Sequence, residues 1–158
     1  DMASAYGVFA ASGMRQEPTP ILRIIDREGN VIEDNTSRAS VRVIDENVAN
    51  NVTQTLTHVV NRGTGTAARL DRPVAGKTGT SDAYQNAWFV GYTPQLSTAV
   101  WVGYKESNNI SLYNVRGVSR VTGGSHPARM WKEFMVEAVK DTPVMQFPPA
   151  GPLPKYGN

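Results

Sequence analysis

Apolar residues recur along the chain with two different periods, and the switches between them divide it into helix, hairpin, helix, strands and helix. Met2, Ala3, Ala5, Tyr6, Phe9 and Ala10 form the small-residue face of a helix over Met2 to Ala11 that stops at Gly13. No N-cap sequence precedes it, so the pattern opens as if cut from something longer. Ile21 to Asp26 and Val31 to Ile32 are apolar or β-branched runs around Arg27-Glu28-Gly29-Asn30, the pattern of a β-hairpin.

From Glu46 to Arg62 the period lengthens. Val48, Val52, Leu56, Val59 and Val60 fall at offsets of 0, 4, 8, 11 and 12, with Asp45 as N-cap and Gly63 as terminator, which predicts a helix. Three strand-like runs come next, Val74 to Thr80, Ala87 to Tyr92 and Leu96 to Tyr104, the last two joined across Thr93-Pro94-Gln95. They predict an antiparallel meander. Ser125 as N-cap, Pro127 in the first turn and the stripe Met130, Trp131, Phe134, Met135 and Ala138 predict a last helix packed on that sheet. Beyond Asp141 the chain holds five of its ten prolines, which can neither continue a helix nor join a central strand. The expected division is therefore residues 1–142 as one folded portion and 143–158 as a proline-rich tail or linker.

Composition narrows the function classes. With 40% apolar and 19% charged residues the chain reads as globular. Its net charge of +2 forms no basic stripe and gives no reason to expect nucleic acid. No apolar run reaches the roughly 18 residues that span a bilayer, and no signal-peptide pattern opens the chain. Any export signal or anchor is expected outside it. There is no cysteine, and His58 and His126 lie too far apart for a recognisable metal-ligand spacing, so no metal is expected.

Two glycine-rich stretches imitate nucleotide motifs. Gly76-Lys77-Thr78 would need a glycine at position 71 to be a phosphate loop, and position 71 is Asp. Gly63-Thr64-Gly65-Thr66-Ala67-Ala68 comes after a helix, whereas a dinucleotide fingerprint must come after a strand; it reads as a flexible loop at a helix C-terminus. The Asn-x-Ser/Thr triplets at Asn35, Asn51 and Asn109 are of a kind that chance supplies often.

Lys77-Thr78-Gly79-Thr80 gains weight from the residues downstream of it: Asn86-Ala87-Trp88-Phe89-Val90-Gly91-Tyr92-Thr93-Pro94, then Ala99-Val100-Trp101-Val102-Gly103-Tyr104. That passage resembles the penicillin-binding protein and serine β-lactamase superfamily, in which a Lys-Thr-Gly triplet accompanies Ser-x-x-Lys and Ser-Asp-Asn motifs. Met2-Ala3-Ser4-Ala5-Tyr6 upstream, and Gly123-Gly124-Ser125, Pro127-Ala128 and Trp131-Lys132-Glu133-Phe134-Met135 downstream, resemble the bifunctional class A penicillin-binding proteins. Together the match runs from Met2 to about Phe147.

The resemblance implies an α+β fold, an antiparallel sheet covered by helices and present here as a partial domain, with the triplet on an edge strand lining a cleft. Lys77 would supply positive charge and exchange protons with the missing polar motif. Thr78 and Thr80 would hydrogen-bond the substrate carboxylate, and Gly79 would leave room for its approach. The Thr80 backbone N–H would be one of two oxyanion donors, typically worth about 2.7 to 4 kcal/mol. Against this stands a plainer reading, in which Lys77 guards an exposed strand edge.

None of the ten serines has a lysine three positions later, so the Ser-x-x-Lys nucleophile is expected on an upstream segment, and this chain alone is expected to be inactive. Ser107-Asn108-Asn109 lies after the triplet instead of before it and reads as a surface loop. Tyr84, Asn86, Trp88 and Tyr104 read as sheet-face residues, and neither histidine as a general base. The whole protein is expected to be a D,D-transpeptidase acting on peptidoglycan stem peptides, acylated by β-lactam antibiotics, without a cofactor. It would sit at the extracytoplasmic face of a bacterial cell membrane, with a glycosyltransferase domain and an anchor upstream. A D,D-carboxypeptidase or serine β-lactamase, and a non-catalytic interaction module that keeps the fold, remain alternatives.

Overall fold

A computed structural model of the chain describes residues 1–107 and 109–153. Helix α1 (Met2–Ala10) leads through β1 (Met14–Arg15) to the hairpin of β2 (Arg23–Ile25) and β3 (Val31–Asp34). Strand β4 (Val41–Arg42), paired with β1, precedes helix α2 (Glu46–Asn61) and a single 3-10 turn (Thr66–Ala68). Then come β5 (Ala75–Thr80), β6 (Asn86–Tyr92) and β7 (Ser97–Gly103), the small hairpin of β8 (Tyr113–Val115) and β9 (Val118–Arg120), and helix α3 (His126–Ala138). The fold is α+β. Its centre is the expected meander, antiparallel in the order β5-β6-β7.

Register decides what each side chain of the meander faces. Partners across an antiparallel ladder share a face, and neighbours along a strand alternate. Lys77 pairs with Val90 and Gly79 with Trp88, while Trp88 pairs in turn with Trp101. Ala75, Lys77 and Gly79 thus share one face with Tyr92, Val90, Trp88 and Trp101. Thr78 and Thr80 share the other with Phe89 and Ala87.

Helix α1 covers one end of the first face, where Tyr6, Phe9 and Ala10 pack with Leu56 of α2 on the buried Ala75 and Tyr92. The Lys77 end of that face is open, with Trp101 37% exposed. Helix α3 covers the second face. Trp131 and Met135 are fully buried against Phe89 with Val60, Ala68 and Val74, and the Trp131 Nε1–H donates to Gly91 O (3.2 Å) and Thr98 O (3.1 Å). Leu112 and Val121 close the other end of that face over Ala87.

Several elements depart from the expectation in detail. On α2 the most deeply buried residues are Ala49, Asn50, Thr53 and Val60; of the predicted stripe only Val60 is among them, and the polar pair is tolerated because it finds partners inside. Ser12 Oγ donates to Asn50 Oδ1 at 2.9 Å, and Thr53 Oγ1 lies 3.0 Å from the Tyr92 hydroxyl. Asp45 caps α2 through Val48 N–H, but Ser125 does not cap α3 with its side chain. Its hydroxyl turns back to accept from Thr122 N–H and donate to Thr122 O. The β8–β9 hairpin was not expected. Arg116 (φ 44°) and Gly117 (φ 81°) form its two-residue turn, and positive φ at both positions suits the twist of a tight hairpin.

Past α3 the chain holds neither helix nor strand up to Leu153. It lies along α2 nonetheless: Phe147 packs edge-on against Tyr92, Gln54 donates to Pro148 O, and Asn51 donates to Gly151 O. Residues 154–158 of the proline-rich stretch are outside the described residues.

Candidate active-site wall

Strand β5 is an edge strand, so one row of its backbone groups has no ladder partner. The pairing decides which row. Ser81 N–H donates to Asn86 O at 3.0 Å, which makes Ser81 and Asn86 a hydrogen-bonded pair. In an antiparallel ladder such pairs alternate, so Gly79, Lys77 and Ala75 bond to β6 while Thr80, Thr78 and Gly76 turn their N–H and C=O groups to the open edge. The Lys77 side chain curls over the same edge, donating from Nζ to Thr78 O at 2.7 Å. Lys77 is exposed and in no ion pair among the described residues.

The two threonine hydroxyls are held from behind. Gly123 N–H donates to Thr80 Oγ1 at 3.0 Å. An amide N–H cannot accept, so the Thr80 hydroxyl proton stays free for another acceptor. Thr78 Oγ1 lies 2.7 Å from Thr64 Oγ1, where either can donate. At Gly79 an added Cβ would meet only Trp88 Cβ, at 3.4 Å, so the crowding a side chain would cause there is not with this chain's own backbone. The edge therefore offers two backbone N–H groups, an ammonium and the Thr80 hydroxyl proton within four residues. That set suits an extended peptide that ends in an anion.

Several of the neighbouring aromatic and polar residues pack on one another. Trp88 and Trp101 lie 6.2 Å apart, and Trp101 Nε1 donates to Asn86 Oδ1. Tyr84 rests against Tyr113 at 5.5 Å and beneath the Arg120 guanidinium. Tyr104 is 41% exposed. His126 Nε2 contacts Val115 O at 2.9 Å, and His58 is exposed on α2. In the Ser107-Asn108-Asn109 stretch, Asn109 N–H donates to Ser107 Oγ, and Asn108 is outside the described residues. Among the described residues no cluster of His, Cys, Asp or Glu could hold a metal, and no helix is long and apolar enough to cross a membrane.

Residues 1–120 match the penicillin binding protein transpeptidase domain family. The chain belongs to that family. It is 40% identical over 154 residues to penicillin-binding protein 1A of Mycolicibacterium smegmatis, a match over 94% of this chain. It is 35% identical over 143 residues, 87% of this chain, to penicillin-binding protein 1F of Bacillus subtilis. In each case the chain spans 19% of the relative's length. The solved structure of the penicillin-binding protein PonA1 from Mycobacterium tuberculosis superposes on the whole chain with a TM-score of 0.85 at 33% identity, and the chain covers 45% of it. PonA1 in complex with penicillin V superposes on 98% of the chain with a TM-score of 0.83 at 34% identity, 44% of that structure being covered.

Within this transpeptidase-family frame, Lys77, Thr78, Gly79 and Thr80 stand together on one open edge. In the sequence, Gly123 and Gly124 behind them counted only toward the resemblance and Thr64 only as a loop residue, and none of the three was assigned to the site. Their signal was glycine next to threonine in loops, which by itself says only that the chain turns.

Proposed function

We propose that this chain forms one wall of a D,D-transpeptidase site that cross-links peptidoglycan. A serine of a Ser-x-x-Lys motif, on a segment outside this chain, attacks the penultimate D-alanine carbonyl of a stem peptide. The terminal D-alanine leaves with a proton, and the amine of a neighbouring stem takes the acyl group from the serine. β-Lactam antibiotics acylate the same serine and stop there. The enzyme works at the extracytoplasmic face of a bacterial cell membrane, held by an anchor outside this chain.

The observation that carries this reading is the open edge of β5. The stem peptide lies along that edge as an added strand, bonded to the outward groups of Thr78 and Thr80. The Thr80 N–H points where the carbonyl oxygen becomes an oxyanion, and the serine's own N–H is the second donor. The Thr78 and Thr80 hydroxyls donate to the terminal carboxylate, beside the charge of Lys77. Gly79 keeps the strand bare, so that the peptide backbone can approach.

Lys77→Ala in the full-length protein tests the reading. Acylation by penicillin is expected to slow at least about tenfold with the melting temperature unchanged, a loss of only about 1.4 kcal/mol. Unchanged acylation at unchanged melting would remove Lys77 from the mechanism.

A further inference from the structure

The loop after α2 reaches the wall strand with the side chain of Thr64. Thr64 stands between Gly63 and Gly65, its Oγ1 2.7 Å from Thr78 Oγ1. Its backbone is held on both sides. Gly65 N–H donates to Val59 O at 2.9 Å, which ties the loop to the end of α2. The Gly123-Gly124 turn comes so close that a Cβ on Gly124 would lie 2.1 Å from Thr64 O, and one on Gly123 2.2 Å from Trp88 O. Only glycine fits there without moving the backbone. The turn that pins the Thr80 hydroxyl therefore also backs the loop that meets the Thr78 hydroxyl.

A hydroxyl carries one proton and can accept two hydrogen bonds. In the contact between Thr64 and Thr78, one of the two protons is used and the other is free. If Thr78 donates, its proton points at the loop and its oxygen offers only lone pairs to the open edge, which a carboxylate cannot use. If Thr64 donates, the Thr78 proton is free to point outwards. At Thr80 the ambiguity does not arise, because an N–H fixes the direction. We propose that Thr64 is a positioning residue, which donates to Thr78 Oγ1 and so turns the Thr78 hydroxyl proton toward the carboxylate of the incoming peptide or β-lactam. This rests on the reading of β5 as the carboxylate-binding wall. Thr64 itself does not touch the substrate.

The experiment compares acylation of the full-length protein by a penicillin free acid and by its methyl ester, which keeps the reactive ring and loses the anion. The quantity read is the ratio of the two second-order rates. Thr64→Val, equal in shape but without a hydroxyl, is expected to lower that ratio about fivefold, the size of one ordinary hydrogen bond. Thr64→Ser should restore it, and melting should hold for both variants. A ratio unchanged in Thr64→Val, or acid and ester rates that fall together, would overturn the proposal, since a structural role acts on both substrates alike. Thr78→Val separates the two readings. If it lowers the ratio while Thr64→Val does not, only the role of Thr64 fails. If it leaves the ratio unchanged, the carboxylate wall fails and the role of Thr64 with it.

Discussion

The central sheet and the β2–β3 hairpin are written in much the same alphabet, yet they are held by different forces. In the sheet, Phe89, Val90 and Tyr92 are buried between α1 and α2 on one face and α3 on the other. In the hairpin, Ile25 and Val31 are each 52% exposed and Ile32 67%. What shapes the hairpin is local and polar: Asp26 accepts from the Asn30 N–H and side chain, and Asp34 accepts from Thr36 and Arg23. β-Branched runs thus specify a strand in both regions. They contribute large burial energy only where a second layer arrives, and the wall strand β5 belongs to the region where it does.

The largest effect should come from removing that layer. Trp131→Ala leaves a void against Phe89 and removes the indole N–H that Gly91 O and Thr98 O share. Truncation of a buried tryptophan typically costs about 3 to 5 kcal/mol. Denaturant unfolding of the full-length protein should record a loss of that order in the transpeptidase unit. A loss under about 0.5 kcal/mol, a typical surface value, would mean that α3 does not secure the sheet.

The two regions also differ in how much the sequence disclosed. The meander, α1, α2 and the β2–β3 hairpin were legible because period and turn chemistry are local. The residues that α2 buries were not, because Asn50 and Thr53 are tolerable inside only when Ser12 and Tyr92, far away in sequence, meet them. The β8–β9 hairpin was missed because Arg116 is an uncommon first residue for its turn, even with Gly117 beside it. Nor could proline content reveal that Phe147 packs on Tyr92. In the site, the motif itself was legible, while Thr64 and Gly123 were not: their contacts with Thr78 and Thr80 span 14 and 43 residues.

A middle-sized effect belongs to Tyr92, on the opposite side of the sheet from Trp131. Burial pushes its phenol up from 10.0 to about 12, partly opposed by the bond to Thr53. A raised acid is neutral in the fold, so its contribution is complete below about pH 10 and disappears as pH climbs through about 12. Tyr92→Phe should cost about 1 kcal/mol at neutral pH, one hydrogen bond, since Thr53 still reaches Phe9 O. The gap between the two proteins should close and then reverse as pH passes from 10 to 12, because a rise from 10.0 to about 12 amounts to about 3 kcal/mol, more than one hydrogen bond. A gap that stayed constant across that window would mean that the Tyr92 phenol does not titrate against the fold.

The smallest effect is expected in the hairpin, and it is local. The Thr36 hydroxyl and N–H, and then Arg23, hold the Asp34 carboxyl down from 3.8 to about 2. A lowered acid stabilises above its unfolded value, so this contribution is full above about pH 4 and is lost as pH falls through about 2. The carboxylate is solvent-exposed, so global stability should hardly register it, and the measurement is an NMR titration of the Asp34 side chain. Thr36→Val removes the bond from the hydroxyl, the largest influence, and should raise the midpoint toward 3.8 by more than Arg23→Gln does. If Arg23→Gln raised it further, the ion pair and not the threonine would fix the end of the hairpin. The order expected here is what a segment held by its own short-range bonds requires, because Thr36 lies two residues from Asp34 and stays close even when the two strands part.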